Sequence, residues 1–184
     1  MRCLLHTSHR KTSIIFSGLL YVFQAMLINS ANLMGGSTQP DGYRGFGRVH
    51  LEAGMPFRGS GKKILYVTDS STTYILGHTS QAYTFDVDKT AGEDIRVTLC
   101  WIDPPSESLS GSLLINDLDL KVTGPDGTVY YMWGNVPDTT NVNERVIVPA
   151  AEVVDGSWKA EVSAGELLTS YQAYSLVITV AMPH

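Results

Sequence analysis

The chain has 184 residues, of which 43% are hydrophobic and 17% are charged, and its formal net charge at pH 7 is −5. Such a composition excludes a disordered chain, and the length is sufficient for one hydrophobic core and part of a second. The negative charge gives no reason to expect nucleic acid or an anionic membrane surface as a partner.

The N-terminal segment combines a basic start with an apolar run over residues 14–28. This pattern is typical of a secretory signal, and the run reaches about the lower length limit for a membrane anchor. A buried helix of a globular domain is the competing interpretation, because the polar residues Gln24 and Asn29 interrupt the second half of the run. Residues 1–22 are therefore treated as a leader of undetermined nature, and a membrane is expected as a partner only if residues 1–28 act as an anchor.

From residue 59 onward the sequence is dominated by short segments of strand type. Each is rich in Val, Ile, Tyr or Thr and is bounded by Gly, Pro, Asp or Ser. Eight such segments in about 120 residues, with no helical periodicity between them, indicate an antiparallel β-sandwich or jelly roll. The predicted strands are residues 63–68, 81–87, 95–101, 114–123, 128–133, 144–148, 157–163 and 174–180. The side chains expected to point into the core are Val97, Leu99, Trp101, Leu118, Leu120, Val122, Val162, Leu176 and Ile178.

Residues 116–130 are predicted to form a strand, a tight turn and a second strand. Leu118 and Leu120 fall on one face of the first strand, whereas Asp117 and Asp119 fall together on the other. Strand geometry separates the two carboxylates by roughly 7 Å, close enough for them to repel each other. Either this face is fully solvated or a cation binds there.

Two segments in the first third of the chain carry a resemblance to a known family. Residues 23–31 read Phe-Gln-Ala-Met-Leu-Ile-Asn-Ser-Ala, and residues 45–53 read Gly-Phe-Gly-Arg-Val-His-Leu-Glu-Ala after a loop that contains Gly and Pro. In this order they resemble the end of the catalytic domain of subtilisin-like serine proteases (subtilases). In that family a similar helix end is followed by a Gly-x-Gly-Arg-Val-x-Leu segment that closes the domain.

Five motifs in the β-rich part extend the resemblance to the β-domain that follows the catalytic domain in some secreted subtilases. They are Trp-Ile-Asp-Pro-Pro at 101–105, Ile-Asn-Asp-Leu-Asp-Leu at 115–120, Gly-Pro-Asp-Gly at 124–127, Asp138 with Asn-Val-Asn-Glu at 141–144, and Gln-Ala-Tyr-Ser-Leu-Val at 172–177. The resemblance therefore extends from residue 24 to the end of the chain.

The resemblance implies a mainly β fold, an antiparallel β-sandwich or jelly roll preceded by a short helical remnant of an α/β subtilase catalytic domain. It assigns residues 23–58 to the remnant and residues 59–184 to the β-sandwich domain. Residues 14–53 are expected to contain one apolar helix and a short terminal helix, with an apolar face left uncovered. The resemblance further implies secretion, a subtilase catalytic domain as partner, and peptide or protein substrates for the intact enzyme.

Subtilases hydrolyse peptide bonds with a Ser, a His and an Asp, and an Asn binds the oxyanion. This chain contains no Gly-Thr-Ser turn for the nucleophile, and its five histidines lie in unrelated segments. We therefore expect no catalytic residue in this chain and no hydrolysis by it alone, although the family is one of serine endopeptidases.

Oxygen ligation is the remaining candidate chemistry. Calcium takes six to eight oxygen ligands, and the side chains that could supply them are Asp103, Asn116, Asp117, Asp119, Asp138, Asn141, Asn143 and Glu144. The spacing is not that of an EF-hand, and turn or capping roles are the alternative for Asn and Asp. Resemblance to calcium-stabilised domains of secreted subtilases favours a structural Ca²⁺. No His/Cys cluster predicts zinc, and no disulfide is expected between Cys3 and Cys100.

A stand-alone secreted binding module, for protein or carbohydrate, is the alternative function. Trp101, Trp133, Trp158, Tyr130 and Tyr131 could be interpreted as a carbohydrate-stacking platform. However, Trp101 and Trp158 lie on apolar strand faces, where a core position is expected.

Overall fold

The computed structural model describes residues 20–35, 40–54, 62–67, 72–89, 92–106 and 114–181. Most of the predicted leader, including Cys3, lies outside these ranges. The described part is mainly β, and every strand pair in it is antiparallel.

Two helices and a small hairpin form the first part of the described chain. Helix α1, described over residues 20–30, leads directly into strand β1 (Ala31–Asn32), which pairs with β2 (Arg48–Val49) before helix α2 (Leu51–Gly54). Gly47 has φ +96°, and a Cβ there would lie 2.1 Å from the carbonyl oxygen of Asn32, so only glycine lets the two chain segments approach this closely. Both expected helices are therefore present.

Two larger sheets follow. The first has the strand order β5 (Ser80–Val87), β10 (Gly156–Leu167), β7 (Asn116–Thr123) and β8 (Val129–Tyr130). The second has the order β3 (Lys62–Val67), β11 (Gln172–Ala181), β6 (Ile95–Trp101) and β9 (Asn143–Val148), with β4 (Tyr74–Ile75) also paired to β11. Both sheets contribute side chains to one hydrophobic cluster, as expected for a β-sandwich.

The predicted core is confirmed residue by residue. All nine side chains expected to point inward are buried in this cluster, and Leu118 and Leu120 are fully buried. The alternation along β7 therefore has the predicted register, with Asp117 and Asp119 on the opposite face. Trp101 and Trp158 are also buried in the core, as expected.

The strand boundaries differ from the prediction mainly at two places. Strand β10 continues to Leu167 through a register shift, whereas β8 ends at Tyr130 because residues 131–134 close a tight turn. The short strand β4 was not predicted. The early end of β8 matters most, because it leaves much of one edge of β7 without a neighbouring strand.

Helix α1 packs on the outer face of the second sheet. Ala25 contacts Cys100 and Val177, whose side chains point away from the sandwich core, and Cys100 is a buried free thiol. The opposite side of the helix carries Leu20 and Phe23, which are 61% and 56% exposed. Among the described residues, this part of the helix therefore presents apolar surface, as the sequence predicted.

Candidate functional site

The candidate site lies at the open edge of β7. Strand β8 pairs only with Val122 and Thr123, so the backbone N–H of Leu120 finds no neighbouring strand. It donates instead to Oε2 of Glu144, the second residue of β9, at 2.8 Å. A side chain of one sheet thereby takes the place of a missing strand in the other.

Glu144 is the most deeply buried acid of this region, with 1% of its surface exposed. Its second oxygen, Oε1, has no hydrogen-bond donor among the described residues. Burial raises the pKa of this carboxyl well above its usual value, although the N–H of Leu120 opposes the shift and nearby carboxylates add to it. An ionised Glu144 is therefore costly unless a proton or a cation accompanies it.

Asp117 and Asp119 lie on the adjoining face of β7 and share this situation. The Oδ1 atom of each is buried and lacks a donor among the described residues. Burial, together with the charges of Asp119, Asp138 and Asp103, raises the pKa of Asp117 to about 6. Burial and Asp138 also raise the pKa of Asp119. Because these neighbouring charges are all acidic, repulsion adds to the desolvation of each carboxylate.

Asp138 and Asp103 lie beside Asp117, Asp119 and Glu144, and each accepts hydrogen bonds from a neighbouring loop. Asp138 accepts from Thr140 N at 2.9 Å and from Asn141 Nδ2 at 2.6 Å. Asp103 accepts from two successive backbone N–H groups, those of Ile115 and Asn116, at 2.6 and 2.7 Å. Each carboxylate therefore organises a loop beside β7 and also contributes negative charge to the face.

Two of the predicted ligands are placed elsewhere. Asn116 points away from Asp117, and its amide makes four hydrogen bonds with the loop and strand start at residues 168–172. Asn143 Oδ1 accepts from Gln24 Nε2 of helix α1 at 2.9 Å. The structure thus brings together the five carboxylates of the predicted set. It gives Asn116 and Asn143 structural partners elsewhere, whereas Asn141 donates to Asp138.

The group fits a hard cation in its chemistry, because it offers only oxygen donors and three buried carboxylate oxygens without a donor. In the described part of the chain, however, no group of three or more His, Cys, Asp or Glu side chains is arranged to hold a metal ion. The carboxylates share an electrostatic field without forming a preassembled ligand set. We refer to Asp103, Asp117, Asp119, Asp138 and Glu144 as the acidic cluster.

A second buried charge lies next to Glu144 in sequence and on the other side of β9. The guanidinium of Arg145 donates to the carbonyl oxygens of Ile28 and Ala31 at 2.8 and 2.7 Å, and to that of Phe46 at 3.2 Å. It also lies 5.3 Å from the centre of the Phe46 ring. Burial, and secondarily Arg96, lowers the pKa of Arg145 to about 10, so this side chain is charged at neutral pH.

Arg145 thus binds the carbonyl of Ile28, which the end of helix α1 leaves without an intrahelical partner, and that of Ala31 immediately after the helix. Arg96 adds longer contacts to the carbonyls of Asn29 and Ala31 at 3.3 and 3.4 Å. The Asn29 side chain donates to Thr179 Oγ1 and accepts from Thr98 Oγ1, both on the second sheet. We call this polar contact between the helix end and the sheet the arginine seat.

Sequence reasoning did not find the arginine seat. The available signal was the pair Glu144-Arg145 in a strand that continues as Val-Ile-Val, because charges at buried strand positions are unusual unless they have partners. The carbonyl groups that Arg145 binds lie far away in the sequence. Ala31 is 114 residues before Arg145, and Ile28 is 117 residues before it. No local pattern indicates such a pairing.

Neither a scan of known protein families nor a search of characterised proteins finds a match for this chain. Among the described residues, no helix has both the length and the apolar character needed to cross a membrane. His50 and His78, the two histidines in the described ranges, are exposed, and the other three lie outside those ranges.

Proposed function

We propose that the chain is the C-terminal part of a secreted subtilisin-like serine endopeptidase, in which the jelly-roll β-domain braces the end of the catalytic domain. The observation that carries this proposal is the arginine seat. Residues 20–54, which resemble the end of a subtilase catalytic domain, are fixed to the β-domain by a buried cation and a buried amide. A merely tethered segment would not need a fully buried Asn29.

The uncovered side of helix α1 also supports the proposal. Leu20, Phe23 and Leu27 recur at helical spacing and are all more than 40% exposed. An apolar stripe of this kind indicates a partner surface, and in the proposed enzyme the rest of the catalytic domain would cover it. The catalytic domain would supply the Ser, His and Asp and would bind the peptide substrate.

We further propose that Ca²⁺ stabilises the β-domain at the acidic cluster. Asp117, Asp119 and Glu144 would supply oxygen ligands, because each has a buried carboxylate oxygen that lacks a donor among the described residues, and their side chains would move closer together to hold the ion. Bound calcium would neutralise the mutual repulsion of the cluster. Secreted proteins encounter millimolar calcium, which is sufficient for sites with dissociation constants of roughly 10⁻⁴–10⁻³ M.

A two-part experiment tests the protease assignment. Sequencing the coding region upstream should reveal a Gly-Thr-Ser-Met-Ala type turn just before residue 20, and the extended protein should hydrolyse a peptide substrate in a manner blocked by a serine-directed inhibitor. The present chain alone should show no such hydrolysis. Inhibitor-sensitive hydrolysis by the chain alone, or an upstream region that lacks the motif, would contradict the proposal.

The stand-alone binding module is kept as a second candidate because of one surface feature. Tyr74 and Tyr171 are both more than half exposed and form an edge-to-face pair with ring centres 5.6 Å apart, with Leu168 exposed nearby in sequence. Exposed aromatic pairs are typical of binding surfaces for proteins and sugars. A genuine start at Met1, with processing near Ser30, would favour this candidate over the protease.

A further inference from the structure

The free edge of strand β5 is an interaction surface that neither proposed function uses. Strand β5 is the outermost strand of the first sheet and pairs with β10 over all eight residues without a register shift. Its other edge makes no backbone hydrogen bond to another described residue. A long regular edge of this kind is a template for one further strand.

The hydrogen-bond pattern identifies which residues face outward. Ala164 N donates to Thr79 O at 3.0 Å, so the pair of residues 79 and 164 is a hydrogen-bonded pair of the ladder. In an antiparallel ladder such pairs alternate, and residues 81, 83, 85 and 87 therefore bond to β10. The N–H and C=O groups of Ser80, Ala82, Thr84 and Asp86 point away from the sheet, and the side chains of these four residues are exposed.

The other outer strands carry features that discourage pairing with another chain. Strand β8 has two residues, β3 begins with two lysines, and β9 carries the buried charges of Glu144 and Arg145. Strand β5 has the sequence Ser-Gln-Ala-Tyr-Thr-Phe-Asp-Val, with no Lys, Arg or Pro and no bulge. Strands β1, β2 and β4 have only two residues each, so among the described outer strands β5 is the one that lacks such protection.

We propose that two copies of this chain associate through antiparallel pairing of their β5 strands about a two-fold axis. In the register that places Ala82 opposite Thr84 of the second copy, all four outward residues of each copy find backbone partners. Asp86 then lies opposite Ser80 of the second copy, so the single charge of this strand does not face its equivalent. The small side chains of Ser80 and Ala82 leave room for the approach.

Pairing of this kind buries little side-chain surface, so the dimer belongs to the weak class of interfaces below about 1,200 Å². The test is sedimentation equilibrium of the full chain over a range from about 1 μM to about 1 mM, where a weak dimer becomes populated. We expect the weight-average mass to rise towards twice the monomer mass. A chain that stays monomeric over the whole range overturns the proposal.

Two variants test the interface. Thr84→Pro removes one outward N–H, and proline is tolerated at an outer strand position whose N–H faces solvent. Ala82→Lys adds a charged side chain to the same edge, and it keeps the test decisive if the proline variant does not fold. We expect each folded variant to weaken association at least tenfold, whereas retained association in Ala82→Lys would overturn the proposal.

Ser157→Lys is the matched control, because Ser157 is exposed on the same sheet but lies on β10, an inner strand, whose edge at this residue is already paired with β5. It should leave association unchanged. Phe23→Lys changes the exposed apolar side of helix α1. If that variant abolishes association and Ala82→Lys does not, the dimer forms through the helix and the proposal is wrong.

Discussion

The acidic cluster and the arginine seat lie on opposite sides of strand β9 and handle buried charge in opposite ways. Arg145 donates to three carbonyl oxygens and stacks near an aromatic ring, so its charge is matched by fixed dipoles. Glu144 accepts one hydrogen bond, and its other oxygen has no donor among the described residues. The seat is therefore a complete structural contact, whereas the cluster requires a proton or a cation to neutralise it.

Replacing the buried cation of the seat should have the largest effect on stability. Arg145→Met keeps much of the side-chain volume but removes the guanidinium that donates to the carbonyls of Ile28 and Phe46 and the closer of the two donors to Ala31. We expect a loss of about 3 kcal/mol in the free energy of unfolding. Urea unfolding measures it. The control is Arg48→Met at an exposed position of β2, expected to lie within about 0.5 kcal/mol of the parent chain. A loss below about 1 kcal/mol for Arg145→Met would show that the seat is not a rigid contact.

Removing the buried anion of the cluster should change stability in a direction that depends on calcium. Glu144→Gln can retain an acceptor for Leu120 N–H and removes the charge, so with a chelator at pH 7 we expect a gain of about 1–2 kcal/mol. In saturating Ca²⁺ the parent chain should be the more stable of the two, because the variant loses a ligand. Glu161→Gln, which removes a carboxylate paired with Lys121 and Lys159, should show no such reversal. The same order of stabilities in both conditions would contradict the account.

Asp119→Ala tests the part of the same cluster that strand β7 contributes. The variant should lose most of the calcium-dependent rise in melting temperature, because one of the three carboxylates with an oxygen lacking a donor is gone. Asp126→Ala is the matched control, since Asp126 is an exposed turn residue whose carboxylate accepts hydrogen bonds from Thr128 of the same turn. If both variants respond to Ca²⁺ like the parent chain, Asp119 does not contribute to a calcium site.

The pH dependence should differ between calcium-free and calcium-loaded protein. The folded-state pKa of Asp117, about 6, lies above the ordinary value of 3.8, so the folded protein binds a proton more tightly than the unfolded chain. This contribution to stability is complete below the ordinary value and is lost as the pH rises through about 6. Without calcium, the urea midpoint should therefore increase as the pH falls from 7 to 5. Saturating Ca²⁺ should reduce or reverse this increase, because protons compete with the calcium ion for the same carboxylates. The same slope in both conditions would contradict a shared site.

The sandwich core was predictable from the sequence because its signal is local. Leu118 and Leu120 alternate with Asp117 and Asp119 at the period of a strand, and this alternation fixes both the buried face and the acidic one. The role of Glu144 was not predictable, because it depends on β8 ending after two residues and exposing the N–H of Leu120.

Which of the predicted ligands are available for a cation was also not predictable from the sequence. Asn116 and Asn143 have oxygens that could bind a cation, but these oxygens already accept hydrogen bonds. The Asn116 oxygen accepts from the backbone N–H groups of Leu168 and Thr169, and the Asn143 oxygen accepts from Gln24 Nε2. An asparagine in a loop or at a strand end has the same sequence signature whether it binds a metal, caps a turn or joins two loops. Only the tertiary structure separates these roles.

The most direct test of the account is a pair of thermal unfolding curves of the full chain, one with millimolar Ca²⁺ and one with excess chelator. In the proposed calcium-bound state the ion neutralises the carboxylates of the acidic cluster, so calcium should stabilise the folded state, by about 2.7 kcal/mol at a hundredfold excess over the dissociation constant. The melting temperature should rise accordingly, and the rise should increase with calcium concentration. If the two curves coincide, the cluster is a solvated or protonated face, and the calcium proposal is wrong.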